Sequence, residues 1–322
     1  MVSQSEPTGP SLALLAMPGR RNDAVELATE IERRGFSGIA CPSQSDAMGF
    51  CLSIAHATDT IAIETAILPI ALRRADELAN AAAHLHEVSR GRFRLGLGVS
   101  HGNLPRDGRN PERAGAAPPS PLSDVRTFVA QLRAAEHPEG TGSGARGRGA
   151  GPLPPLVLAT LRGRMVELAL EVADGAIWAN GTRGGVAAAR SRIRTAAGEA
   201  FSVANMVFTV VDDDVDAARA LNRSHLARYA SLPNYRAYWK AAGYEDEMID
   251  VERALDQPGV SDLAPLISDR LLDDVALSGP ASVVRDGVDA WRALGVDEVV
   301  LVPSSTSGGQ FHAVRELFDA FA

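Results

Sequence analysis

A chain of 322 residues with 45% hydrophobic content can bury a full core; it is long for one ordinary domain and normal for one α/β barrel. Its formal net charge of −8 argues against a nucleic-acid partner, which would need a basic face, so an anionic ligand has to be met by locally placed arginines. No apolar run is long enough for a membrane span, and the polar start from Met1 to Pro10 lacks a basic region and an apolar leader core, so a cytoplasmic protein with no membrane partner is expected.

In chain order, short β-rich runs alternate with helical patterns. Strand one is Leu12 to Met17, and a helix from Asp23 carries Val25, Ala28 and Ile31 on one face and stops at Gly35. Strand two is Gly38 to Cys41, a helix carries Leu52 to Ala57, strand three is Ile61 to Leu68, and a helix spans 76–88. Cys41 and Cys51 fit a reduced compartment, and their spacing matches no zinc or redox motif, so both read as packed side chains. Then comes the most informative stretch, Arg90-Gly91-Arg92-Phe93-Arg94-Leu95-Gly96-Leu97-Gly98-Val99-Ser100-His101-Gly102. A helix ends around Ser89 and Gly91, strand four runs from Phe93 to Val99, and the glycines at 96, 98 and 102 let another group lie against the backbone. That places His101 at the strand's carboxyl end, where a barrel keeps its chemistry. On spacing alone, a bulge followed by a solvated histidine explains the same residues.

The second half continues with a helix over 124–135 and a run from His137 to Pro155 too poor in apolar residues to fold by itself, expected to be a flexible loop. Strand five is Leu156 to Thr160, helix five Arg164 to Ala173, strand six Gly175 to Trp178, a helix covers 186–200, and strand seven is Met206 to Val211. A helical insertion fills 212–276 and contains Leu232-Pro233-Asn234-Tyr235-Arg236-Ala237-Tyr238-Trp239. A helix over 281–294, a strand over 299–302 and a helix over 311–321 complete eight strands and at least eight helices. The economical fold is a single (β/α)8 TIM barrel over residues 1–322 with a helical insertion after strand seven; an open doubly wound sheet shows the same alternation.

The segments ELATEIERRGFSGIACPS, ATDTIAIETAILPI, HEVSRGRFRLGLGVSHGN, MVELALEVADGAIW and SGPASVVRDGVDAWRALGVDEVVLVP resemble, in order and spacing, the bacterial luciferase-like monooxygenase superfamily over nearly the whole barrel. The GVSH ending of strand four and the PNYR segment look most like its actinobacterial branch assigned to coenzyme F420, with FMN as the alternative cofactor. The resemblance implies a ring lying across the carboxyl end of the barrel, against a bulge in strand three at Ala66 and Ile67 that often contains a non-proline cis peptide. It assigns Gly98, Val99 and Ser100 to the same cofactor. An ordinary buried strand explains IAIETAI equally well.

For the cofactor phosphate, the sequence offers Arg162, Gly163 and Arg164 where strand five enters a helix, a physically reasonable anion site of amides and guanidinium groups. The resemblance adds Asn180, Gly181 and Thr182 at the end of strand six, with Arg183 close behind. A solvated helix start is the plain alternative for the arginines. In such an enzyme a hydride passes to or from the substrate while a protein group handles the proton, and His101 suits that role near neutral pH. His84 and His86 face different ways on one helix, and His56, His137, His225 and His312 read as surface or packing residues.

One departure stands out. Many relatives carry an acid or a histidine at the end of strand two, whereas this chain has Pro42-Ser43-Gln44-Ser45-Asp46. Ser43 and Gln44 can hydrogen-bond to a substrate but cannot act as ordinary acids or bases near pH 7. Tyr235, with Tyr238 and Trp239, forms either a pocket wall over the substrate or a packing face of the insertion.

Four readings follow. The first is an F420-dependent oxidoreductase acting on a small organic alcohol, carbonyl or conjugated double bond. The others are a reduced-FMN monooxygenase, a catalytically silent cofactor-binding protein, and an unrelated barrel enzyme, for which the metal-ligand spacing is absent. The relatives imply a homodimer.

Overall fold

The structure, a computed structural model, describes residues 9–99, 120–136, 149–257, 259–260 and 262–322. Ser100, His101 and most of the expected 137–155 loop lie outside the described residues, and residues 149–155 form neither helix nor strand. The chain divides into two compact units, one of residues 14–160 and 164–177, the other of residues 1–13, 161–163 and 178–322.

After β1 (Ser11–Ala13), which belongs to the second unit, the first unit runs through α1 (Arg21–Arg33), β2 (Gly38–Cys41), α2 (Ala47–Ala57), β3 (Ala62–Thr65), β4 (Leu68–Pro69), α3 (Ala75–Val88), β5 (Phe93–Gly98), α4 (Pro121–Glu136), β6 (Leu156–Ala159) and α5 (Gly163–Val172) into β7 (Gly175–Ala179). Every pairing is parallel. Gly38 lies opposite Ala62, Glu64 opposite Arg94, Leu68 opposite Leu97, Leu95 opposite Leu156, and Val157 opposite Gly175. Because both faces of such strands are covered, they read as near-continuous apolar runs, and β2 and β6 do so. The helices bury stripes at helical spacing, such as Ala24, Leu27, Ala28 and Ile31 on α1. Gly35 follows α1 with φ of +80°, the left-handed conformation that ends helices at low cost.

In the second unit α6 (Arg183–Ala197) leads to the ten-residue β8 (Ser202–Val211). The insertion follows as α7 (Val215–Ala230), α8 (Pro233–Ala241), α9 (Glu245–Leu255) and α10 (Asp269–Val275), then β9 (Ala276–Gly279), α11 (Ala281–Ala293), β10 (Glu298–Pro303) and α12 (Gln310–Ala320). β10 pairs with β1 on one side and with residues 204–209 of β8 on the other, while residues 208–211 of β8 pair with β9. The insertion has its own apolar core, including Leu226, Tyr235, Trp239, Met248 and Leu271.

The element order and the all-parallel pairing are those of a (β/α)8 TIM barrel, as the sequence led us to expect. The strand expected over 61–68 is divided into β3 and β4 at Ala66 and Ile67, where the family resemblance implied a bulge. One correction applies: the insertion ends at Val275, since residues 276–279 form β9, a strand too short and glycine-ended to show a pattern.

Candidate active site

In the first unit the candidate site begins at the interruption of β3. The Ala66–Ile67 peptide is cis. Ala66 N–H donates to the Cys41 carbonyl at 2.9 Å. The neighbouring β5 is shaped to receive this turn. A Cβ on Gly96 would lie 1.8 Å from the Thr65 carbonyl oxygen, and one on Gly98 would lie 2.8 Å from both Ile67 Cδ1 and Ala159 Cβ. Only glycine therefore lets β5 approach so closely. The Thr65 hydroxyl clamps the approach, donating to the Gly96 carbonyl at 3.0 Å and accepting from its N–H at 2.9 Å. Ile67 is half-buried and Val99 is 39% exposed, so this strand end presents an apolar ledge over glycine backbone.

Arg94 on β5 and Arg92 just before it tie the other end of the strand to its neighbours. Arg94 Nη2 lies 3.0 Å from Glu64 Oε2, and the Glu64 side chain is 2% exposed. Burial pushes the Glu64 carboxyl up from its ordinary range, against the pull of Arg94. Just before β5, Arg92 donates to the carbonyls of Ala55, Thr58, Ile61 and Ser89 and to the Thr58 hydroxyl, at 2.9 to 3.0 Å.

Ser43 is half-buried and Gln44 exposed in the turn between β2 and α2. The nearest carboxylate in sequence, Asp46, caps α2 through the Gly49 N–H at 3.2 Å and lies 3.9 Å from Arg73. His56 and His84 are exposed on helices, and His86 lies 3.3 Å from the Phe93 carbonyl. His225 stacks on Phe208 with centroids 5.2 Å apart, and His312 lies between Ser307 and Glu316. Among the described residues no group of three or more His, Cys, Asp or Glu could hold a metal ion.

At the start of α5, Arg162 and Arg164 are exposed, and Arg192 of α6 brings its Nη1 to 3.1 Å from the point where a Cβ on Gly163 would sit. Sequence reasoning missed Arg192, because a helical arginine far along the chain carries no signal of where its side chain ends.

The turn from β7 to α6 lies in the second unit and is differently built. Asn180 adopts φ of +55°. Its N–H donates to the Met206 carbonyl at 2.9 Å, the Gly181 N–H to Asn205 Oδ1 at 3.2 Å, the Thr182 N–H to the Tyr238 hydroxyl at 2.8 Å, and the Arg183 N–H to Asp274 Oδ1 at 2.8 Å. Thr182 also caps α6 through the Gly185 N–H. Tyr235 is 3% exposed and packs edge-on against Tyr229 with centroids 4.7 Å apart, so the structure places it in the core of the insertion.

The model of the luciferase-like monooxygenase family matches residues 4–298, and the chain belongs to that family. It is 27% identical, across 91% of its length and 92% of the other, to a Mycobacterium tuberculosis protein whose name assigns it to the coenzyme F420-dependent oxidoreductases. Its fold matches the F420-dependent tetrahydromethanopterin reductase of Methanopyrus kandleri with a TM-score of 0.73, at 19% identity and 97% coverage of both chains. It also matches an F420-dependent secondary alcohol dehydrogenase, solved with an F420-acetone adduct, with a TM-score of 0.67, 16% identity and coverage of 98% and 99%. Among the described residues no helix is long and apolar enough to cross a membrane.

Proposed function

We propose that this luciferase-like oxidoreductase uses coenzyme F420 to move a hydride to or from a small organic alcohol, carbonyl or conjugated double bond. The observation that carries the reading is the ledge at Ala66, Ile67, Gly98 and Val99, where glycines at 96 and 98 hold two strand segments closer than any side chain would allow. A flat conjugated ring fits such an apolar surface, and a deazaflavin supplies hydride chemistry when bound.

The chain's own residues would do the rest. Ile67 and Val99 would face the ring beside Gly98, and Ser100 is assigned to the same cofactor by the family resemblance alone. Arg162 and Arg164, with Gly163 at the first amides of α5, would hold the phosphate, a contact that weakens with salt. Ser43 and Gln44 would hydrogen-bond to the substrate, and His101 would hold or accept the proton. The absence of an acid at the end of β2 leaves that task to the histidine. The chain would act as a homodimer, as the family resemblance implies.

A second reading, reduced-FMN monooxygenation, is favoured by the monooxygenase description of the family model and by the same ledge, which suits either tricyclic ring. Anaerobic fluorescence titration with F420 and with FMN, each at two salt concentrations, separates the two. Saturable, salt-sensitive binding of F420 but not FMN supports the proposal, preference for FMN supports the second reading, and binding of neither removes both.

A further inference from the structure

The start of α6 has the ingredients of an anion site. A fifteen-residue helix begins there, four successive residues present N–H groups, and Arg183 and Thr182 lie alongside. Yet all four N–H groups from Asn180 to Arg183 already donate to protein acceptors, and two of those acceptors come from the insertion: the Tyr238 hydroxyl on α8 and the Asp274 carboxylate on α10. Thr182 is 1% exposed. The Arg183 guanidinium lies over the Trp291 ring, 5.0 Å from its centroid.

The fit is built from both sides. A Cβ on Gly185 would stand 2.7 Å from the Tyr238 hydroxyl oxygen, so glycine there is what lets the tyrosine reach the turn. Asp274 is held by its other oxygen, which accepts from the Tyr244 hydroxyl at 2.7 Å. A carboxylate fixed at a helix start both satisfies a donor and repels any second anion.

We infer that Asp274 and Tyr238 are specificity-determining residues that close the β7–α6 turn to anionic ligands, Asp274 being the protein's own anion in that position. A phosphate-bearing ligand is then held elsewhere, and a ligand needing an anion contact at this turn is rejected. The expectation that Asn180, Gly181 and Thr182 bind cofactor phosphate is replaced by a role in anchoring the insertion.

Inorganic phosphate is the probe, so the test does not depend on which cofactor the protein uses. Backbone amide exchange, followed by mass spectrometry over peptides spanning 180–185 and 270–276, is measured with and without phosphate in the wild type, in Asp274→Ala and in the milder Asp274→Ser. Phosphate should leave exchange at 180–185 unchanged in the wild type and slow it severalfold in the variants. Slowing in the wild type would overturn the inference, because the turn would then take an anion despite Asp274. Folded variants that show no slowing would also overturn it, because the turn would then have no anion affinity for Asp274 to block. If neither variant folds, Tyr238→Phe, which frees the Thr182 N–H at the same turn, is measured in the same way and read by the same two outcomes.

Discussion

Replacing Arg92 with lysine removes a brace whose worth can be worked from its contacts. All five guanidinium N–H groups find acceptors: Nε gives to Ser89 O, Nη1 to Thr58 Oγ1 and Ile61 O, and Nη2 to Ala55 O and Thr58 O. These acceptors lie at the end of α2, the approach to β3 and the turn before β5, so one side chain ties together the segments that set the β3–β5 register. Lysine has three donors on a single atom, so at least two acceptors lose their partner. Hydrogen bonds to charged groups contribute about 1.5–3 kcal/mol each, and water recovers part of the loss at a half-buried site, so Arg92→Lys should cost about 3 kcal/mol. At roughly 2 °C per kcal/mol for a chain of this length, the melting temperature should fall by about 6 °C. Thermal unfolding followed by far-ultraviolet circular dichroism reads this directly. A lysine variant that melts with the wild type would show that the planar fork is dispensable and that the brace is only a charge.

Three further outcomes are expected. Gly96→Ala should destabilise more than Gly98→Ala in urea unfolding, because the first Cβ meets a backbone carbonyl at 1.8 Å and the second meets the mobile end of Ile67 and the Ala159 methyl at 2.8 Å; equal effects would contradict the close-approach argument. Burial pushes the Glu32 carboxyl up, but hydrogen bonds from Thr60, Ile61 and Asp59 together outweigh it and hold it below its ordinary value. Its contribution is therefore present above the ordinary value of 4.5 and lost as pH falls through the lowered one, so Glu32→Gln should flatten the acid limb of the stability profile; an unchanged limb would count against it. Finally, His101→Ala should lower kcat by about 10²- to 10⁴-fold with cofactor affinity intact, and unchanged turnover would remove the histidine from the reaction.

Much of the fold was legible because it depends on local signals. The bounds of β2 at Gly38 and Cys41 follow from an apolar run after a helix-ending glycine, and the structure places the strand there. The end of α3 near Ser89 could be read from the glycine that follows it, with Arg90 also in the left-handed region. What escaped was set by distant partners. The interruption at Ala66 depends on Gly96 and Gly98, some thirty residues on, and strand periodicity in IAIETAI gives no hint of it; it was expected only through the family resemblance. β9 is a strand because β8 runs on past Thr209, its last pair with β10, and takes β9 as partner from Phe208 to Val211. For the candidate site, the glycines and the α5 arginines carried readable signals. Asp274 and Tyr238 did not, since nothing in an amphipathic helix says which distant N–H its polar groups will meet.

The way β8 shares its length between two neighbours has a consequence for how this protein could diversify. Its first part pairs with β10 and its last four residues pair with β9, so the chain leaves at Val211 and rejoins at Ala276, one strand to the side and three residues down, a separation of about 10 Å. The 64 residues between, counted from Asp212 to Val275, thus form a cassette with adjacent ends and its own apolar core. Such a cassette can be lengthened, shortened or exchanged by recombination while the pairing of β8 with β10 stays as it is, so selection can act on 212–275 largely apart from the parallel strands that carry it.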